Sequence, residues 1–264
     1  MFRYRLSPIA FLAIVTLVAC GGGEQTKAPR AGGSNPTPAA ESAAPGAGGG
    51  YTVTAVADGG SITGKVTFEG TPPPAETIEI TKDNSVCGDE HVRQVTEVDA
   101  SGGLSNAVVW IDGITNGKDW GDLDGGGIDQ KKCAYSPHVQ VIRAGEALEI
   151  TNDDPIMHNI HAYQNDTDTL FNLAQPMQGM KTPKKLSTPG PVHLKCDVHS
   201  WMSAWAFVAA NPYYTITAAD GSFTLSDVPA GTYTVKTWHE GYGEKSTSVT
   251  VAGGGSASAS FTMP

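Results

Sequence analysis

The sequence is poor in basic residues, in long apolar runs and in helical periodicity, and each shortage argues against a class of protein. There are 17 Lys and Arg against 27 Asp and Glu, which gives a formal net charge of −10. An acidic chain attracts nucleic acid weakly, so we expect no nucleic-acid partner. The apolar run at residues 9–18 is too short to span a bilayer comfortably. No segment shows a sustained 3.6-residue apolar period, which argues against helices as the main structure.

The chain consists instead of short runs rich in Val, Ile, Thr and Tyr, separated by Gly, Pro, Asn and Asp. Examples are YTVTAV from residue 51, NAVVWIDGI from residue 106 and TYTVKTW from residue 232. Turn signals such as Asp220-Gly221 lie between the runs. This pattern predicts an all-β chain built as sandwiches or barrels. Only residues 162–186 are typical of a long loop, with room for one helical turn.

The N-terminus has the features of an export signal. Two arginines precede the apolar run at residues 9–18, which has the length of a signal-peptide core. The sequence LVAC that follows, ending at Cys20, closely resembles the lipobox of bacterial lipoproteins. The resemblance implies a signal peptide at residues 1–19, lipidation of Cys20 and attachment to a membrane through that lipid. The alternative is a plain secretory signal or a short anchor.

The residue after Cys20 indicates to which membrane the lipoprotein would be sent. Gly21 is not the aspartate that retains many such lipoproteins at the inner membrane, so the resemblance favours the outer membrane. We therefore expect the protein in the cell envelope, on the periplasmic face. Loss of Arg3 and Arg5 with the signal would change the formal charge from −10 to −12.

Residues 20–51 are dominated by Gly, Pro, Ala and Ser and contain almost nothing that could pack. This composition predicts a flexible tether. About thirty such residues have a root-mean-square reach of roughly 30 Å. The folded part would be held clear of the lipid surface and would remain free to swing.

Three cysteines remain after Cys20, and their surroundings divide them. Cys87 lies in a predicted turn and Cys133 just before a predicted strand, so in an oxidising compartment a disulfide between them is expected, with two separate thiols as the alternative. Such a disulfide could stabilise the fold by about 3 to 4 kcal/mol. Cys196 then has no thiol partner, and metal ligation is one explanation for an unpaired cysteine in an exported protein.

Cys196 begins a C-x2-H-x2-M motif that continues with His199 and Met202. A thiolate, an imidazole and a thioether are three of the four ligands of a blue-copper site, which also needs a second imidazole. The upstream stretch TNDDPIMHNIHAY offers His158 and His161. The motif therefore predicts a copper site with one of these two histidines.

Residues 130–210 resemble the cupredoxins, and within them the amicyanin-like members. The resemblance is carried by Asn152 and Asp154 before the HNIH motif at 158–161, by the turn at Pro189-Gly190 and by the C-x2-H-x2-M motif. It implies a Greek-key β-sandwich at residues 129–211 with one type 1 copper. The implied equatorial ligands are His158, Cys196 and His199. The implied axial ligand is Met202.

The resemblance also assigns roles to neighbours of the ligands. Asn159 would brace the two ligand-bearing loops from outside the metal's own ligand set. His161 alternates to the other side of its strand and is not expected to bind metal. Trp201 could form an apolar rim for docking and electron transfer, or could shield the site from water. Further histidines and methionines are expected on strand surfaces or in packing roles, namely His138, His193, Met157, Met177 and Met180.

Residues 212–264 resemble a smaller β-sandwich, the carboxypeptidase-regulatory-like or transthyretin-like fold. The match is carried by Asp220-Gly221, Phe223 and the run VPAGTYTV at 228–235. An early strand of that family is similar to GSITGKVTFEG at 60–70. The N-terminal β segment at 52–128 could therefore complete this sandwich, with the cupredoxin inserted into it.

These features predict an exported, lipid-anchored type 1 copper protein that exchanges single electrons with a redox protein partner. We expect no enzyme activity, because protein ligands fill all four metal positions. One alternative is a copper(I) carrier or buffer of the cell envelope that uses Met157, Met177 and Met180 with the histidines. Another is a scaffold in which the copper motif is purely structural.

Overall fold

The computed structural model describes residues 50–123 and 125–264, so the predicted signal peptide, Cys20 and nearly all of the predicted linker lie outside the described residues. No helix in the described ranges is long and apolar enough to cross a membrane. These ranges contain twenty strands and one short helix, in the chain order β1 (Thr52–Val53), β2 (Gly60–Phe68), β3 (Glu76–Glu79), α1 (Asn84–Cys87), β4 (Glu90–Arg93), β5 (Val108–Asp112), β6 (Asn116–Gly117), β7 (Gly127–Lys131), β8 (Ala134–Ser136), β9 (Val139–Arg143), β10 (Ala147–Asn152), β11 (His158–Gln164), β12 (Asp168–Gln175), β13 (Met180–Lys185), β14 (Gly190–Lys195), β15 (Ser203–Ala209), β16 (Tyr214–Ile216), β17 (Ser222–Val228), β18 (Gly231–His239), β19 (Gly243–Val251) and β20 (Ser256–Met263).

Tyr51, the last residue assigned to the linker, belongs to the folded part. Its hydroxyl donates a hydrogen bond to the carbonyl of Lys118 (2.8 Å), and its ring meets Trp120 edge to face. The next two residues, β1, pair in parallel with β6. An aromatic side chain with a hydrogen-bond partner anchors the chain here, although glycines precede it in sequence.

Two sheets form a sandwich that is discontinuous in sequence, which we call the host sandwich. Its sheets have the strand orders β16-β5-β18-β19 and β17-β2-β20. β2 pairs in parallel with the C-terminal β20, and β5 lies between β16 and β18. The close pairing of β2 with β20 requires a glycine at position 64, because a Cβ there would lie 1.5 Å from the carbonyl oxygen of Ala259. Ile62, Val109 and Val235 contribute to the buried core between the sheets.

Strands β7 to β15 form a second sandwich, which we call the inserted sandwich. Its sheets have the orders β13-β10-β7-β8 and β12-β11-β14-β15-β9. The alternating apolar residues of these strands meet in a core that includes Ile150, Ile160 and Leu194. The chain therefore leaves the host sandwich after β5, builds the inserted sandwich and returns at β16.

The prediction of a long loop at 162–186 is wrong. β11 runs to Gln164, and two further strands, β12 and β13, fill most of the stretch. Both are edge strands whose side chains alternate between partly buried and exposed. They lack the fully buried apolar run that marks a central strand, and this concealed them in the sequence.

An aromatic seam joins the two sandwiches. Trp205 and Phe207 of β15 pack against Trp110 and Trp238 of the host sandwich, with ring centroids 4.7 Å apart for Trp110–Phe207 and 4.9 Å apart for Trp205–Trp238. Glu240 accepts a hydrogen bond from the Trp205 indole (2.9 Å) at the edge of this seam. Both faces of β15 are therefore buried, one in the core of the inserted sandwich and the other in the aromatic seam.

The strands of segment 52–128, whose role the sequence left open, divide between the two sandwiches. β2 and β5 belong to the host sandwich, whereas β3, α1 and β4 form a hairpin that packs on the inserted sandwich. We call residues 76–93 the β3–β4 hairpin. Ile80 and Cys87 of this hairpin enter the core of the inserted sandwich, and a disulfide joins Cys87 to Cys133.

Candidate metal centre

Three of the predicted ligands converge at one end of the inserted sandwich. His158 opens β11, Cys196 follows β14, and His199 lies in the connection to β15. The Nδ1 atoms of His158 and His199 are 2.9 Å apart, and Nδ1 of His199 lies 3.8 Å from Sγ of Cys196. None of the three is more than 2 % exposed. One thiol and two imidazoles thus form a single buried donor cluster.

Strand alternation decides which upstream histidine joins this cluster. His158 shares the inner face of β11 with Ile160 and Ala162, which are fully buried. His161 points to the outer face, where its Nδ1 lies 3.1 Å from a carboxylate oxygen of Asp197 and its Nε2 lies 3.0 Å from the hydroxyl of Thr169. His161 is outside the cluster, as the alternation predicts.

Met202 closes the loop that carries Cys196 and His199. Its backbone N–H donates to the carbonyl of His199 (2.9 Å), and the N–H of Cys196 donates to the carbonyl of Met202 (3.4 Å). The Met202 residue is 1 % exposed and belongs to the core of the inserted sandwich. These backbone hydrogen bonds fold the short loop so that Met202 stays next to Cys196 and His199.

Trp201 does not form an exposed rim. It is 8 % exposed, its indole N–H donates to the carbonyl of Cys133 (3.0 Å), and its ring centroid lies 5.1 Å from that of His199. The buried indole, hydrogen-bonded to Cys133, does not fit the alternative of an exposed docking rim. Of the two roles considered for Trp201, the observed burial fits the shielding of the cluster from water.

Asn159 links the two chain segments that carry the donors. Its Oδ1 accepts hydrogen bonds from the backbone N–H of Asp197 (2.7 Å) and Val198 (3.2 Å), and from the Cys196 thiol (3.3 Å). Its Nδ2 donates to Asn172 (2.8 Å) on the neighbouring strand. One amide therefore ties the start of β11 to the Cys196 loop.

A carboxylate fixes the far nitrogen of His158. Asp154 lies 2.9 Å from His158 Nε2, and its two oxygens also accept the backbone N–H of Lys132 (2.7 Å) and Cys133 (2.8 Å). Burial, together with the neighbouring His199, lowers the pKa of His158 although Asp154 acts to raise it, and this favours the neutral imidazole. A neutral ring that donates Nε2–H to Asp154 presents the lone pair of Nδ1 to the cluster.

A second carboxylate fixes the far nitrogen of His199. Asp83 of the β3–β4 hairpin lies 2.9 Å from His199 Nε2. The two residues are 116 positions apart in the chain, and Asp83 belongs to no motif, so the sequence carried no signal for this pair. The His199 side chain that Asp83 contacts is fully buried.

The donor set fits a soft or borderline metal ion. When both Nε2–H groups donate to carboxylates, the two Nδ1 lone pairs face each other across 2.9 Å and repel unless a cation lies between them. Two imidazoles and one thiol are ligands that suit copper or zinc, whereas oxygen ligands suit magnesium or calcium. The residues present at this site therefore fit the copper ion that the sequence predicts.

The other candidate residues lie outside the cluster. Met157 is 47 % exposed and Met177 is 65 % exposed, while Met180 is partly buried. His193 stacks on the ring of Trp205, and His138 pairs with a carboxylate of the host sandwich. None of these five belongs to the buried donor set.

The cysteines divide into a bonded pair and one free thiol. The Cα atoms of Cys87 and Cys133 are 5.0 Å apart and their sulfurs are joined, while Cys196 is free and buried. The bonded sulfurs lie close to His199, but a disulfide is not a thiolate ligand. Of the sulfurs of these three residues, the Cys196 thiol is the one that can be deprotonated to bind a metal.

Comparison with known proteins gives partial matches. Residues 207–264 match the family model of the carboxypeptidase regulatory-like domain, and no curated protein matches the chain. The purple cupredoxin from Nitrosopumilus maritimus is 23 % identical over 32 % of this chain and 99 % of its own, with a TM-score of 0.29. Amicyanin from Paracoccus versutus is 16 % identical over 38 % and 97 %, with a TM-score of 0.30. A mutant fern plastocyanin is 19 % identical over 31 % and 99 %, with a TM-score of 0.28. At these identities and TM-scores the structural matches give no argument about function.

Proposed function

We propose that the chain holds one type 1 copper and carries single electrons. The observation that carries the proposal is the buried convergence of His158, Cys196 and His199. Two imidazoles and one thiolate are the three strong ligands of a blue-copper site, and Met202 in the same loop supplies the weak axial thioether. Bound copper would supply reversible exchange between Cu(I) and Cu(II).

The surrounding residues hold the ligands so that little has to move. Asp154 and Asp83 orient the two imidazoles, Asn159 ties the ligand segments together, and Trp201 covers the site. Hydrogen bonds of this kind maintain ligand geometry. A fixed site from which water is excluded favours electron transfer, because little rearrangement is then needed between Cu(I) and Cu(II).

We further propose that the protein is not an enzyme. With Met202 in the axial position, protein groups occupy all four metal positions, so no position is left for a substrate. A redox protein partner would have to approach away from His199, because the β3–β4 hairpin covers that ring. Asp197, next to Cys196, has a half-exposed side chain and is one place where a partner could approach.

The proposed location is the periplasmic side of the cell envelope, at the outer membrane. The support is the lipobox-like sequence ending at Cys20, followed by Gly21 and a linker rich in Gly, Pro, Ala and Ser. The lipid on Cys20 would attach the chain to the membrane. The acidic composition supports the absence of a nucleic-acid partner.

Copper loading with absorption spectroscopy tests the proposal. The Cu(II)-loaded protein should have an intense visible band from the Cu(II)–thiolate bond, and Cys196→Ser should abolish it. Cys87 and Cys133 serve as internal controls, because mass mapping without reductant should find them bonded to each other and Cys196 free. A blue Cys196→Ser protein, or a disulfide that includes Cys196, would overturn the assignment.

Met202→Leu separates electron transfer from the copper(I) carrier. In a type 1 site the thioether donates weakly and stabilises Cu(II), so Leu should leave the colour and raise the potential, while Gln should lower it. In a carrier the thioether is a principal ligand, and its loss should weaken Cu(I) binding. An unchanged potential with collapsed Cu(I) affinity would favour the carrier. The full burial of the ligands argues against ready metal exchange.

A further inference from the structure

The β3–β4 hairpin places a carboxylate on the donor cluster from outside the inserted sandwich. Asp83 accepts the Nε2–H of His199 at 2.9 Å. The His199 side chain is fully buried, whereas the Asp83 side chain is 35 % exposed. The carboxylate therefore stands between the imidazole and water.

The position of Asp83 is fixed on both sides. Its backbone is left-handed (φ 57°), and its carbonyl accepts the N–H groups of Val86 (2.9 Å) and Cys87 (3.0 Å). Cys87 is bonded to Cys133 of the inserted sandwich. On the other side, Ile80 packs into the core of the inserted sandwich. A covalent bond and an apolar anchor thus hold one short segment over the cluster.

This placement has a chemical consequence for His199. A carboxylate that accepts Nε2–H holds that proton on Nε2 and leaves Nδ1 as the nitrogen that can bind a metal. Nδ1 of His199 faces His158 Nδ1 and Cys196 Sγ. The same contact makes the imidazole a stronger donor, and the nearby negative charge favours Cu(II) over Cu(I).

We propose that Asp83 is a positioning residue of the metal centre, delivered by the disulfide-anchored β3–β4 hairpin. The part that concerns copper rests on the function proposed above. Asp83 sets the tautomer of His199, tightens copper binding and lowers the reduction potential.

Copper competition titrations give the first test. Asp83→Ala should weaken copper binding about 10- to 100-fold, the usual effect of removing such a partner. Asp89→Asn is the matched control, because Asp89 is exposed on the same hairpin and its side chain contacts Asn84. This control should change affinity less than about twofold. Equal affinities for the two variants would overturn the proposal.

A substitution that keeps the hydrogen bond isolates the charge. In Asp83→Asn the amide oxygen can still accept Nε2–H, so affinity should fall less than in Asp83→Ala. The potential should rise above that of the wild type, which a merely structural role would not cause. A potential equal to that of wild type and of Asp89→Asn would contradict the electrostatic role.

Nitrogen NMR of the copper-free protein tests the positioning without any metal. Nε2 of His199 should carry its proton fully in wild type and in Asp89→Asn, and only partly in Asp83→Ala. If the tautomer does not respond to Asp83, the inference fails even if copper binds. If it responds but the copper-loaded wild type is colourless, the type 1 function fails and the positioning role stands. Unfolding curves show whether each variant is folded.

Discussion

Two carboxylate–imidazole pairs flank the donor cluster, and they share a distance but not an origin. Asp154–His158 and Asp83–His199 both have an oxygen to nitrogen distance of 2.9 Å. The first pair lies within one turn and its carboxylate is 5 % exposed, whereas the second joins distant chain segments and its carboxylate is 35 % exposed. The inserted sandwich thus builds one half of the environment of the site itself and obtains the other half from a separate hairpin.

The largest difference between the two pairs is expected when the Cys87–Cys133 disulfide is removed. Cys87→Ala with Cys133→Ala should lower the free energy of unfolding by about 3 to 4 kcal/mol, because the unfolded chain is no longer cross-linked. The NMR signal of His199 should change, and that of His158 should change less. Urea unfolding and nitrogen NMR measure both effects. A loss below about 1 kcal/mol, or equal changes at both histidines, would remove the distinction between the two pairs.

Asp154→Ala should cost more stability than Asp83→Ala. The buried Asp154 accepts two backbone N–H groups as well as the imidazole, and its loss leaves them unsatisfied, at a cost of about 2 to 3 kcal/mol. Asp83→Ala should cost less than about 1 kcal/mol, since its carboxylate is partly exposed. Urea unfolding without copper makes the comparison, with the half-exposed Asp153→Ala as control at below about 0.5 kcal/mol. Equal losses for Asp154 and Asp83 would contradict the account.

A third carboxylate–imidazole pair, His138–Glu240, joins the two sandwiches and contains none of the predicted metal ligands. It therefore shows how much such a pair contributes to stability by itself. The Glu240 contact raises the pKa of His138, and the His138 and Trp205 hydrogen bonds lower the pKa of Glu240 although its burial acts to raise it. The stabilisation from His138 is present below about pH 6.5 and is lost as pH rises through its raised pKa. The stabilisation from Glu240 is lost only as pH falls through its lowered pKa.

His138→Gln should therefore cost on the order of 1 kcal/mol near pH 6 and less near pH 9. Unfolding by urea at both values measures the difference between wild type and variant. His193→Gln is a useful control, because burial lowers the pKa of His193 and its stability effect should have the opposite pH trend. A cost for His138→Gln that grows toward pH 9 would contradict the assigned pair.

The smallest effect is expected at His161. His161→Ala should leave the visible band of the copper protein in place, because the ring lies on the outer face of β11 with Asp197. His158→Ala is the matched comparison and should abolish the band. The ligand assignment is wrong if His161→Ala bleaches the protein and His158→Ala does not.

The sequence pointed to the side chains that lie near one another in the chain motifs, and it gave no sign of the remote contact from the β3–β4 hairpin. The C-x2-H-x2-M spacing pointed to Cys196 and His199, and the cupredoxin resemblance added His158; these three side chains converge, and their binding of a metal stays a prediction. Asp154 stood in the recognised turn, four residues before His158, but its contact with the imidazole was not anticipated. Asp83 could not be found at all, because its contact with His199 depends on the tertiary packing of a hairpin 116 positions away in the chain.

The same limit applies to the fold. The all-β class follows from short alternating runs, and the likeness of GSITGKVTFEG to an early strand suggested the discontinuous host sandwich. Edge strands β12 and β13 were missed because half-exposed strands have weak patterns. The sequence left the exposure of Trp201 open between a rim and a shield, because its burial involves a contact with the distant Cys133.

The most direct test is a redox titration of the copper-loaded protein followed at its visible band. We predict that the band bleaches on reduction and returns fully on oxidation, along a single curve with one electron for each copper. Cys87 and Cys133 should remain bonded throughout, so that the electron is assigned to the metal site. A protein that never becomes coloured, or that loses its copper on each reduction, would contradict the account of a closed electron-transfer centre.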